Sequence, residues 1–243
     1  MPYIQQLAPL YRDADEDGRI GLRGYLRYSQ DVIASWLISH GKGNDTISET
    51  YNAGWIIIRS RIHMNNKADY SAPICASLWL EPYAQPVIAN VLIRFKQNGS
   101  ILAEARFELC VMNLPRRRVV RFSFIEFPEG LAETVPSGFP VFADKHVPDE
   151  ALLNQYYRTV RYSDLDINRH MNNLRYMEMF EDAYDSSFWW QFHPNRIEIR
   201  YQSQCMEGEQ LSIKSCINQD GAHIAAFHID GQPAAEAIFS YEQ

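Results

Sequence analysis

The feature that most constrains the fold is an order of elements that occurs twice along the chain. In each half, apolar residues at helical spacing are followed by four runs rich in β-branched and aromatic residues. The helices are predicted over 22–40 and from the end of a polar stretch at 163–173 to about residue 190. The strands are predicted over 55–62, 74–80, 87–95, 101–112, 195–201, 211–217, 223–229 and 234–241, with shorter ones before each helix at 3–11 and 156–162. An apolar helix followed by antiparallel strands must bury its face against the sheet, so the periodicity predicts an α+β fold.

A proline-rich stretch separates the two halves. Residues 114–154 contain five of the twelve prolines of the chain. Because 119–127 is too apolar to be solvated throughout, we expect the stretch to lie along the surface as a connecting segment. The predicted organisation is an N-terminal module at 1–113, the connecting segment at 114–154 and a C-terminal module at 155–243.

The composition narrows the function classes. Hydrophobic residues make up 46% of the 243 residues and charged residues 22%, as in a globular protein with a real core. The net charge of −7 does not fit a general nucleic-acid-binding protein, which would be basic. No stretch approaches the length of a membrane span, and the first residues do not resemble a signal peptide, so we expect a cytoplasmic protein. The four cysteines form no C-x-x-C pair and are expected to be free thiols.

Polar residues are concentrated at the entrance of the second predicted helix. The stretch 163–173 contains, in order, Asp164, Asp166, Asn168, His170, Asn172 and Asn173. A helix entrance has backbone N–H groups without intrahelical partners, and it favours negative charge. We therefore interpret 163–173 as the reactive centre and the remainder of the chain as its scaffold.

The first half of the chain contains a degenerate copy of this stretch. Five positions of the two copies match without a gap: Asp13, Asp15, Tyr25, Leu26 and Asp31 align with Asp164, Asp166, Tyr176, Met177 and Asp182. Two positions differ, because Asp17 and Arg19 stand where the second copy has Asn168 and His170. The acidic turn also matches the first half of an EF-hand calcium loop, but its twelfth position is Gly24 instead of a glutamate. A solvated turn or a degenerate repeat therefore explains it better than a calcium site. The duplication indicates a pseudo-twofold arrangement in which only the second copy keeps the reactive side chains.

The sequence DLDINRHMNN at 164–173 resembles the D-L-D-x-N-x-H-x-N-N signature of the acyl-acyl carrier protein (acyl-ACP) thioesterases of plants and bacteria. Residues 111–117 resemble the end of that family's first module, and 55–61 resemble its first strand after the helix. The resemblance covers essentially the whole chain. It implies a tandem (double) hot-dog fold, in which each module is a long helix wrapped by an antiparallel sheet. It also implies hydrolysis of fatty acyl-ACP to free fatty acid and holo-ACP, with ACP as the partner and no cofactor.

The family's functional residues transfer to five positions of this sequence. Asp166, Asn168 and His170 match the catalytic Asp, Asn and His. A later Y-R-R-E-C pattern, whose Glu and Cys have each been considered catalytic, corresponds to the sequence YQSQC at 201–205, so that Gln204 replaces the Glu and Cys205 matches the Cys. A glutamine cannot take a proton from water, so Gln204 can at most orient water or substrate. This departure leaves Asp166 as the stronger candidate for base or nucleophile.

The chemistry of the motif residues allows two interpretations. Asp166 is able to act as a base on water or to attack directly, Asn168 to hydrogen-bond Asp166, water or substrate, and His170 to shuttle protons near neutral pH. Backbone N–H groups around 171–174 are placed to polarise the thioester carbonyl. The alternative is a capped helix start, since Asp, Asn and Ser are good N-cap residues. Spacing alone does not decide between the two, and the family resemblance favours catalysis.

Cys205 also has two interpretations. With His170 and Asn168 it would form a triad like that of the cysteine proteases. A single cysteine beside a strand is more often a small buried residue, and we favour that interpretation. No G-x-S-x-G elbow is present, which argues against a serine hydrolase. The other histidines are scattered without metal-ligand spacing, so no metal site is predicted.

Substrate contacts are predicted in the N-terminal half of the chain. Arg116, Arg117 and Arg118 form the only dense basic run, which fits either acidic carrier protein and the pantetheine phosphate or a solvated turn. The acyl tail needs an apolar tunnel, which the resemblance places in the first module. Trp36 and Trp55 are candidates for its wall, although core packing explains them equally well.

The sequence leaves other functions open. Hydrolysis of acyl-coenzyme A would use the same site with a different docking surface. A non-catalytic hot-dog module that binds acyl chains is opposed by the intact set of Asp166, Asn168 and His170, while Gln204 keeps this alternative open. Hot-dog hydratases share the architecture, but the motif does not resemble theirs. The tandem repeat supplies internally the pairing of single hot-dog units, so both a monomer and a homodimer fit the sequence.

Overall fold

The computed structural model describes residues 1–83, 86–143 and 151–241. The chain divides into two compact units, Met1–Val141 and Phe142–Gln243. The division falls inside the predicted connecting segment at 114–154, and the described residues up to Val141 belong to the first unit. Residues 144–150 of that segment lie outside the described part of the chain.

The first unit contains two helices and a large antiparallel sheet. Its elements are β1 (Tyr3–Leu7), β2 (Arg19–Ile20), α1 (Leu22–Ser39), α2 (Asn44–Tyr51), β3 (Ala53–Met64), β4 (Ala68–Asp69), β5 (Ile74–Leu80), β6 (Ala89–Gln97), β7 (Ser100–Asn113) and β8 (Arg118–Val120). The sheet has the strand order β1-β5-β6-β7-β3, and β8 adds to β7. A separate pair, β2 with β4, lies beside the entrance of α1.

Helix α1 forms where the 3.6-residue period predicts it. Its apolar face is buried, and Tyr25 packs on Phe95 of β6 with ring centroids 5.3 Å apart. The helix ends just before Gly41, which adopts φ +66° as a residue beyond a helix end commonly does. Burial of this face against the sheet stabilises the first unit.

Helix α2 occupies a polar region in which the sequence predicted neither a helix nor a strand. It has one fully buried residue, Ile47, and ends at Asn52 in the left-handed conformation with φ +49°. A single buried apolar residue produces no helical period, so the pattern could not reveal the helix. Its contacts with β3 supply the stabilisation that its sequence lacks.

Charged side chains of β6 and β7 contact residues of the proline-rich stretch. Glu104 is buried and paired with Arg94, whose guanidinium also donates to the carbonyl oxygen of Ser137 at 2.9 Å. Arg106 donates to the carbonyl oxygen of Pro140 at 2.7 Å. Residues 137–140 of the proline-rich stretch therefore contact the face of the sheet that carries Arg94 and Arg106.

The second unit repeats the order of a strand, a helical region and a sheet. Its elements are β9 (Leu153–Thr159), α3 (Asn173–Glu181), α4 (Ser186–Phe192), β10 (Arg196–Tyr201), β11 (Gln210–Asn218), β12 (Gly221–His228) and β13 (Pro233–Ser240). The strand order is β10-β13-β12-β11-β9, and each neighbouring pair is antiparallel. Tyr176 of α3 packs on Tyr201 of β10 with ring centroids 5.6 Å apart.

The single long helix predicted to about residue 190 is wrong, because the region is two helices. Helix α3 ends at Glu181, and Asp185 begins α4 as its N-cap, accepting a hydrogen bond from the N–H of Phe188 at 2.9 Å. Such a cap stabilises a helix start by about 1 kcal/mol. The apolar spacing continues through the break, since Trp189 of α4 packs on Phe239 of β13 at 4.9 Å between centroids. The period therefore concealed the interruption.

Within the described residues, no helix combines the length and apolar character needed to cross a membrane.

Candidate functional site

The motif loop is anchored through Asp164, whose side chain is buried. Its carboxylate accepts hydrogen bonds from the guanidinium of Arg158 at 2.7 Å and the backbone N–H of Arg161 at 2.9 Å. Its backbone carbonyl oxygen accepts the N–H of Asn172 at 2.8 Å. Asp164 thus fixes both ends of the loop that carries the predicted catalytic residues.

Between these anchors the chain makes a tight turn. Asp166 donates its N–H to the carbonyl oxygen of His170 at 2.9 Å, and Arg169 donates its N–H to the carbonyl oxygen of Asp166 at 3.0 Å. Arg169 adopts φ +62°, a left-handed conformation that is uncommon for a residue with a Cβ atom. The turn brings Asp166, Asn168 and His170 together on one short loop.

The Asp166 carboxylate is held on one oxygen and open on the other. Oδ1 accepts the N–H of Asn168 at 2.8 Å and that of His170 at 3.4 Å. Oδ2 receives only a long contact of 3.4 Å from the side-chain amide of Asn168. In the part of the chain that the structure describes, no cationic side chain pairs with Asp166. Asp166 therefore presents an oriented, uncompensated carboxylate oxygen.

Helix α3 begins directly beyond this turn. Asn172 is its N-cap, and its side-chain oxygen accepts the N–H of Leu174 at 2.9 Å. Met171 donates its N–H to the carbonyl oxygen of Cys205 at 2.9 Å. Of the N–H groups at 171–174, only that of Asn173 has no acceptor among the described residues. Of the backbone N–H groups predicted to polarise the thioester carbonyl, that of Asn173 is therefore the one left available in the described residues.

The same turn exists in the first unit. The equivalent bonds are Asp15 N–H to Arg19 O at 2.8 Å, Gly18 N–H to Asp15 O at 2.9 Å and Leu10 N–H to the Asp13 carboxylate at 2.9 Å. Gly18, with φ +73°, occupies the position of Arg169. The aligned residues of the two halves thus have the same backbone hydrogen bonds, which supports the duplication inferred from the sequence.

The two turns differ in what faces the carboxylate. In the first unit, Lys67 Nζ lies 3.2 Å from Asp15 and 2.8 Å from Asp17. Lys67 precedes Ala68, which pairs with Ile20. In the second unit Met171, which aligns with Ile20, donates its N–H to the carbonyl oxygen of Cys205. If Cys205 is taken as the counterpart of Ala68, Gln204 occupies the position that corresponds to Lys67. The acidic turn of the first unit is therefore neutralised internally, which argues against the calcium interpretation.

Gln204 and Cys205 face different surroundings. The Gln204 side chain is exposed and makes no hydrogen bond within the described residues. Cys205 is fully buried, with its Sγ 3.1 Å from the Tyr176 hydroxyl and 3.9 Å from His228 Nε2. Burial raises the pKa of the Cys205 thiol to about 11. No hydrogen bond in the described part of the chain joins its Sγ to His170, so the structure does not assemble the cysteine triad.

Sequence reasoning missed the partners of Cys205. His228, at the end of β12, has its Nε2 2.9 Å from the Ser203 hydroxyl and its Nδ1 3.5 Å from Glu209. Glu209 also accepts the N–H of Met206 at 2.9 Å. These residues come together only when β12 pairs with its neighbours, and no local spacing in the sequence signals them.

The predicted substrate-binding residues all lie in the first unit. Trp36 and Trp55 both pack on Phe127, with ring centroids 6.0 Å and 5.5 Å away. The three arginines at 116–118 are exposed, in the turn before β8 and at its start. Contact of these tryptophans with an acyl chain, and of these arginines with a carrier, stays a prediction.

Comparison with known proteins gives a consistent result. Residues 147–240 match the family model described as the acyl-ACP thioesterase C-terminal domain. A comparison with curated proteins gives no match. The crystal structure of an acyl-ACP thioesterase from Bacteroides thetaiotaomicron VPI-5482 is 18% identical, with a TM-score of 0.79 over 99% of this chain and 98% of that one. The 12:0-ACP thioesterase from Umbellularia californica is 14% identical, with a TM-score of 0.85 over 99% and 97%.

These likenesses extend over nearly the full length of both solved structures and show a shared fold. The family match covers the motif loop, helices α3 and α4 and the sheet of the second unit. The resemblance predicted from the sequence is thereby confirmed: residues 147–240 match the model of the acyl-ACP thioesterase C-terminal domain, and the chain has a double hot-dog fold.

Proposed function

We propose that this chain hydrolyses the thioester of fatty acyl-ACP and releases free fatty acid and holo-ACP. The observation that carries the proposal is the Asp166 carboxylate, which is oriented by the N–H of Asn168 and has no cation beside it in the described residues. It lies within the part of the chain that matches the acyl-ACP thioesterase family.

The geometry supports a general-base mechanism. Asp166 Oδ2 takes a proton from a water molecule, and the resulting hydroxide adds to the thioester carbonyl carbon. The carbonyl oxygen becomes an oxyanion, which the N–H of Asn173 at the entrance of α3 stabilises. When the tetrahedral intermediate collapses, the carbon–sulfur bond breaks and the pantetheine sulfur leaves. The proton taken by Asp166 then passes to that sulfur, either directly or through His170.

Asn168 and His170 have supporting roles in this proposal. The backbone N–H of Asn168 fixes Oδ1, and its side-chain amide contacts Oδ2, which aims that oxygen away from the turn. His170 is half-buried, and its imidazole makes no hydrogen bond with the other described residues. It is therefore available to carry the proton to the leaving sulfur near neutral pH.

The partner and the acyl tail belong to the first unit in this proposal. The exposed arginines at 116–118 supply positive charge for an acidic carrier or its phosphate. Trp36 and Trp55 contribute apolar surface to the acyl-chain site. We place the protein in the cytoplasm, where its four free cysteines would stay reduced.

A thiol-release assay tests the proposal. The full chain is given acyl-ACP and acyl-coenzyme A substrates of several chain lengths, and thiol formation is followed. We expect acyl-ACP to be hydrolysed and Asp166→Asn to lower kcat by about 10²- to 10⁴-fold, the range for loss of a general base. Asp15→Asn, the same change in the neutralised copy, is the matched control and should leave kcat unchanged.

Two results would contradict the proposal. If Asp166→Asn and His170→Ala hydrolyse acyl-ACP as fast as the unaltered protein, the motif loop is not the reactive centre. If the unaltered protein binds acyl-ACP without releasing thiol, it is a binding module and not a hydrolase.

A further inference from the structure

A second cluster of reactive side chains lies behind the motif loop. Cys205, Glu209 and His228 each offer one ligand atom, and the three atoms lie within 4.8 Å of one another. Cys205 is buried, and the other two are half-buried. The proposed acyl-ACP hydrolysis uses none of them.

Both ring nitrogens of His228 lie near polar groups of the second unit. Ser203 donates its hydroxyl hydrogen to the carbonyl oxygen of Pro233 at 2.9 Å, which can only accept. The Ser203 hydroxyl also lies 2.9 Å from His228 Nε2. His228 Nδ1 faces the Glu209 carboxylate at 3.5 Å, which also accepts. His228 therefore lies between Ser203 on one side and Glu209 on the other, with Cys205 Sγ 3.9 Å from its Nε2.

The donor set also matches one class of ion. Thiolate, imidazole and carboxylate are the ligands that Zn²⁺ takes, at about 2.3 Å for sulfur and about 2.0 Å for nitrogen. In a tetrahedral site these bond lengths place sulfur and nitrogen about 3.5 Å apart. The observed separation of Cys205 Sγ and His228 Nε2 is 3.9 Å, so these side chains and Glu209 must move closer together when an ion binds. A thiolate and a carboxylate together balance the charge of a divalent ion.

We propose that Cys205, Glu209 and His228 form a binding site for a thiophilic divalent cation of the Zn²⁺ class. On binding, the S–H bond of Cys205 breaks, a metal–sulfur bond forms and the proton passes to solvent. No atom changes oxidation state. The proposal does not depend on the thioesterase activity.

A bound ion would connect two parts of the second unit. Cys205 and Glu209 belong to the loop between β10 and β11, and His228 ends β12. The carbonyl oxygen of Cys205 accepts the N–H of Met171, so the loop that holds the ion also supports the motif. Metal binding would therefore stabilise the surroundings of the reactive turn without supplying a reacting group.

Binding is tested on the full-length protein after removal of metals with a chelator. Co²⁺ is added as a spectroscopic probe, because a cobalt–thiolate bond gives a charge-transfer absorption, and Zn²⁺ is titrated calorimetrically. We expect one ion per chain and an increase of the Tm on addition of Zn²⁺. Glu209→Gln and His228→Gln should each weaken Zn²⁺ binding by about 100-fold or more, since changes even in residues outside the ligand set cost up to this much.

Matched controls separate this site from incidental binding. Glu207→Gln lies in the same loop and is exposed, and Cys216→Ala removes a thiol outside the cluster. Neither should change the Zn²⁺ affinity or the cobalt absorption. Cys205→Ala should abolish the absorption, and if that variant does not fold, the Glu209 and His228 variants still decide the question.

The absence of both the cobalt–thiolate absorption and stoichiometric Zn²⁺ binding would overturn the proposal. Equal weakening in the control variants would also overturn it, because the ion would then be bound at incidental surface positions.

Discussion

Lys67 Nζ lies 3.2 Å from the carboxylate of Asp15, whereas the equivalent carboxylate of Asp166 has no cation beside it in the described residues. The position that corresponds to Lys67 is occupied by Gln204, whose side chain is neutral and exposed. The two copies of the turn therefore share their backbone bonds but differ in charge. The first carboxylate is compensated within the protein, and the second is available to substrate or water.

This comparison predicts that a lysine at position 204 would inactivate the site. The ammonium of Gln204→Lys would lie against Asp166 and lower the pKa of that carboxyl, which weakens it as a base. We expect kcat for acyl-ACP to fall by up to about 10-fold for each unit by which the pKa of Asp166 is lowered, because the rate of general-base catalysis follows the strength of the base. Gln204→Met, which adds bulk without charge, is the control for steric effects. An unchanged kcat in Gln204→Lys would show that residue 204 does not reach Asp166.

Asp164 is expected to stabilise the protein more than it assists the reaction. Its buried carboxylate accepts hydrogen bonds from Arg158 and from the N–H of Arg161, and Asp164→Ala would leave both donors unpaired. Such a change costs about 1–3 kcal/mol of the free energy of unfolding. Asp164→Asn keeps an acceptor and should cost less. Urea unfolding of the two variants measures the difference, and equal costs would show that the hydrogen bonds contribute little.

The lowered pKa of the Asp13 carboxyl predicts that the protein loses stability in acid. Burial alone would raise the pKa of this carboxyl, but hydrogen bonds from Leu10 N–H, Tyr28 and Arg27 outweigh it and hold the pKa below 3.8. A group whose pKa is lowered by folding contributes stability that is complete above its unfolded value and is lost as the pH falls through the folded value. We therefore expect Asp13→Asn to be less stable at neutral pH.

The same variant should also show a smaller decrease of stability below about pH 4 than the unaltered protein, because it has no carboxyl to protonate there. Denaturant midpoints measured across the acid range test this expectation. Parallel pH profiles for the two proteins would contradict it.

Cys205 should react slowly with alkylating agents in the metal-free protein. Its side chain is fully buried, and burial raises the thiol pKa to about 11, so little thiolate is present near neutral pH. Iodoacetamide should modify Cys75 and Cys216, which are partly exposed, before Cys205, as mass spectrometry of digested protein would show. Rapid modification of Cys205 together with loss of activity would instead support the cysteine triad.

The sequence predicted the parts of the fold that have a clear period. Helix α1, the strands that follow it and the duplicated order of elements were all visible as apolar spacing. Helix α2 was missed because it buries a single apolar residue, Ile47. The break before α4 was missed because Asp185 caps a new helix while the apolar spacing continues. A helix cap at Asp185 and tertiary contacts of α2 determine the structure of these two regions. Neither changes the spacing of apolar residues along the sequence, so the spacing could not reveal them.

The candidate site was predictable only where its residues are adjacent in sequence. Asp166, Asn168 and His170 lie within one turn, so the motif alone brought them together. His228 reaches Cys205 through the pairing of β12 with its neighbouring strands, which sequence spacing does not reveal. The match between Lys67 and Gln204 likewise required the strand register in each unit.

The two turns differ at the left-handed position, which is Gly18 in the first and Arg169 in the second, and this difference affects how readily each turn opens. The first turn has Gly18 at the left-handed position, where glycine adopts a positive φ without strain, whereas Arg169 pays roughly 1–2 kcal/mol for the same conformation. The hydrogen bonds around Asp166 must offset this conformational free energy to keep the second turn closed. We therefore expect the amide protons of 166–171 to exchange with solvent before those of the equivalent turn. The copy that bears the reactive side chains is then the less rigid of the two.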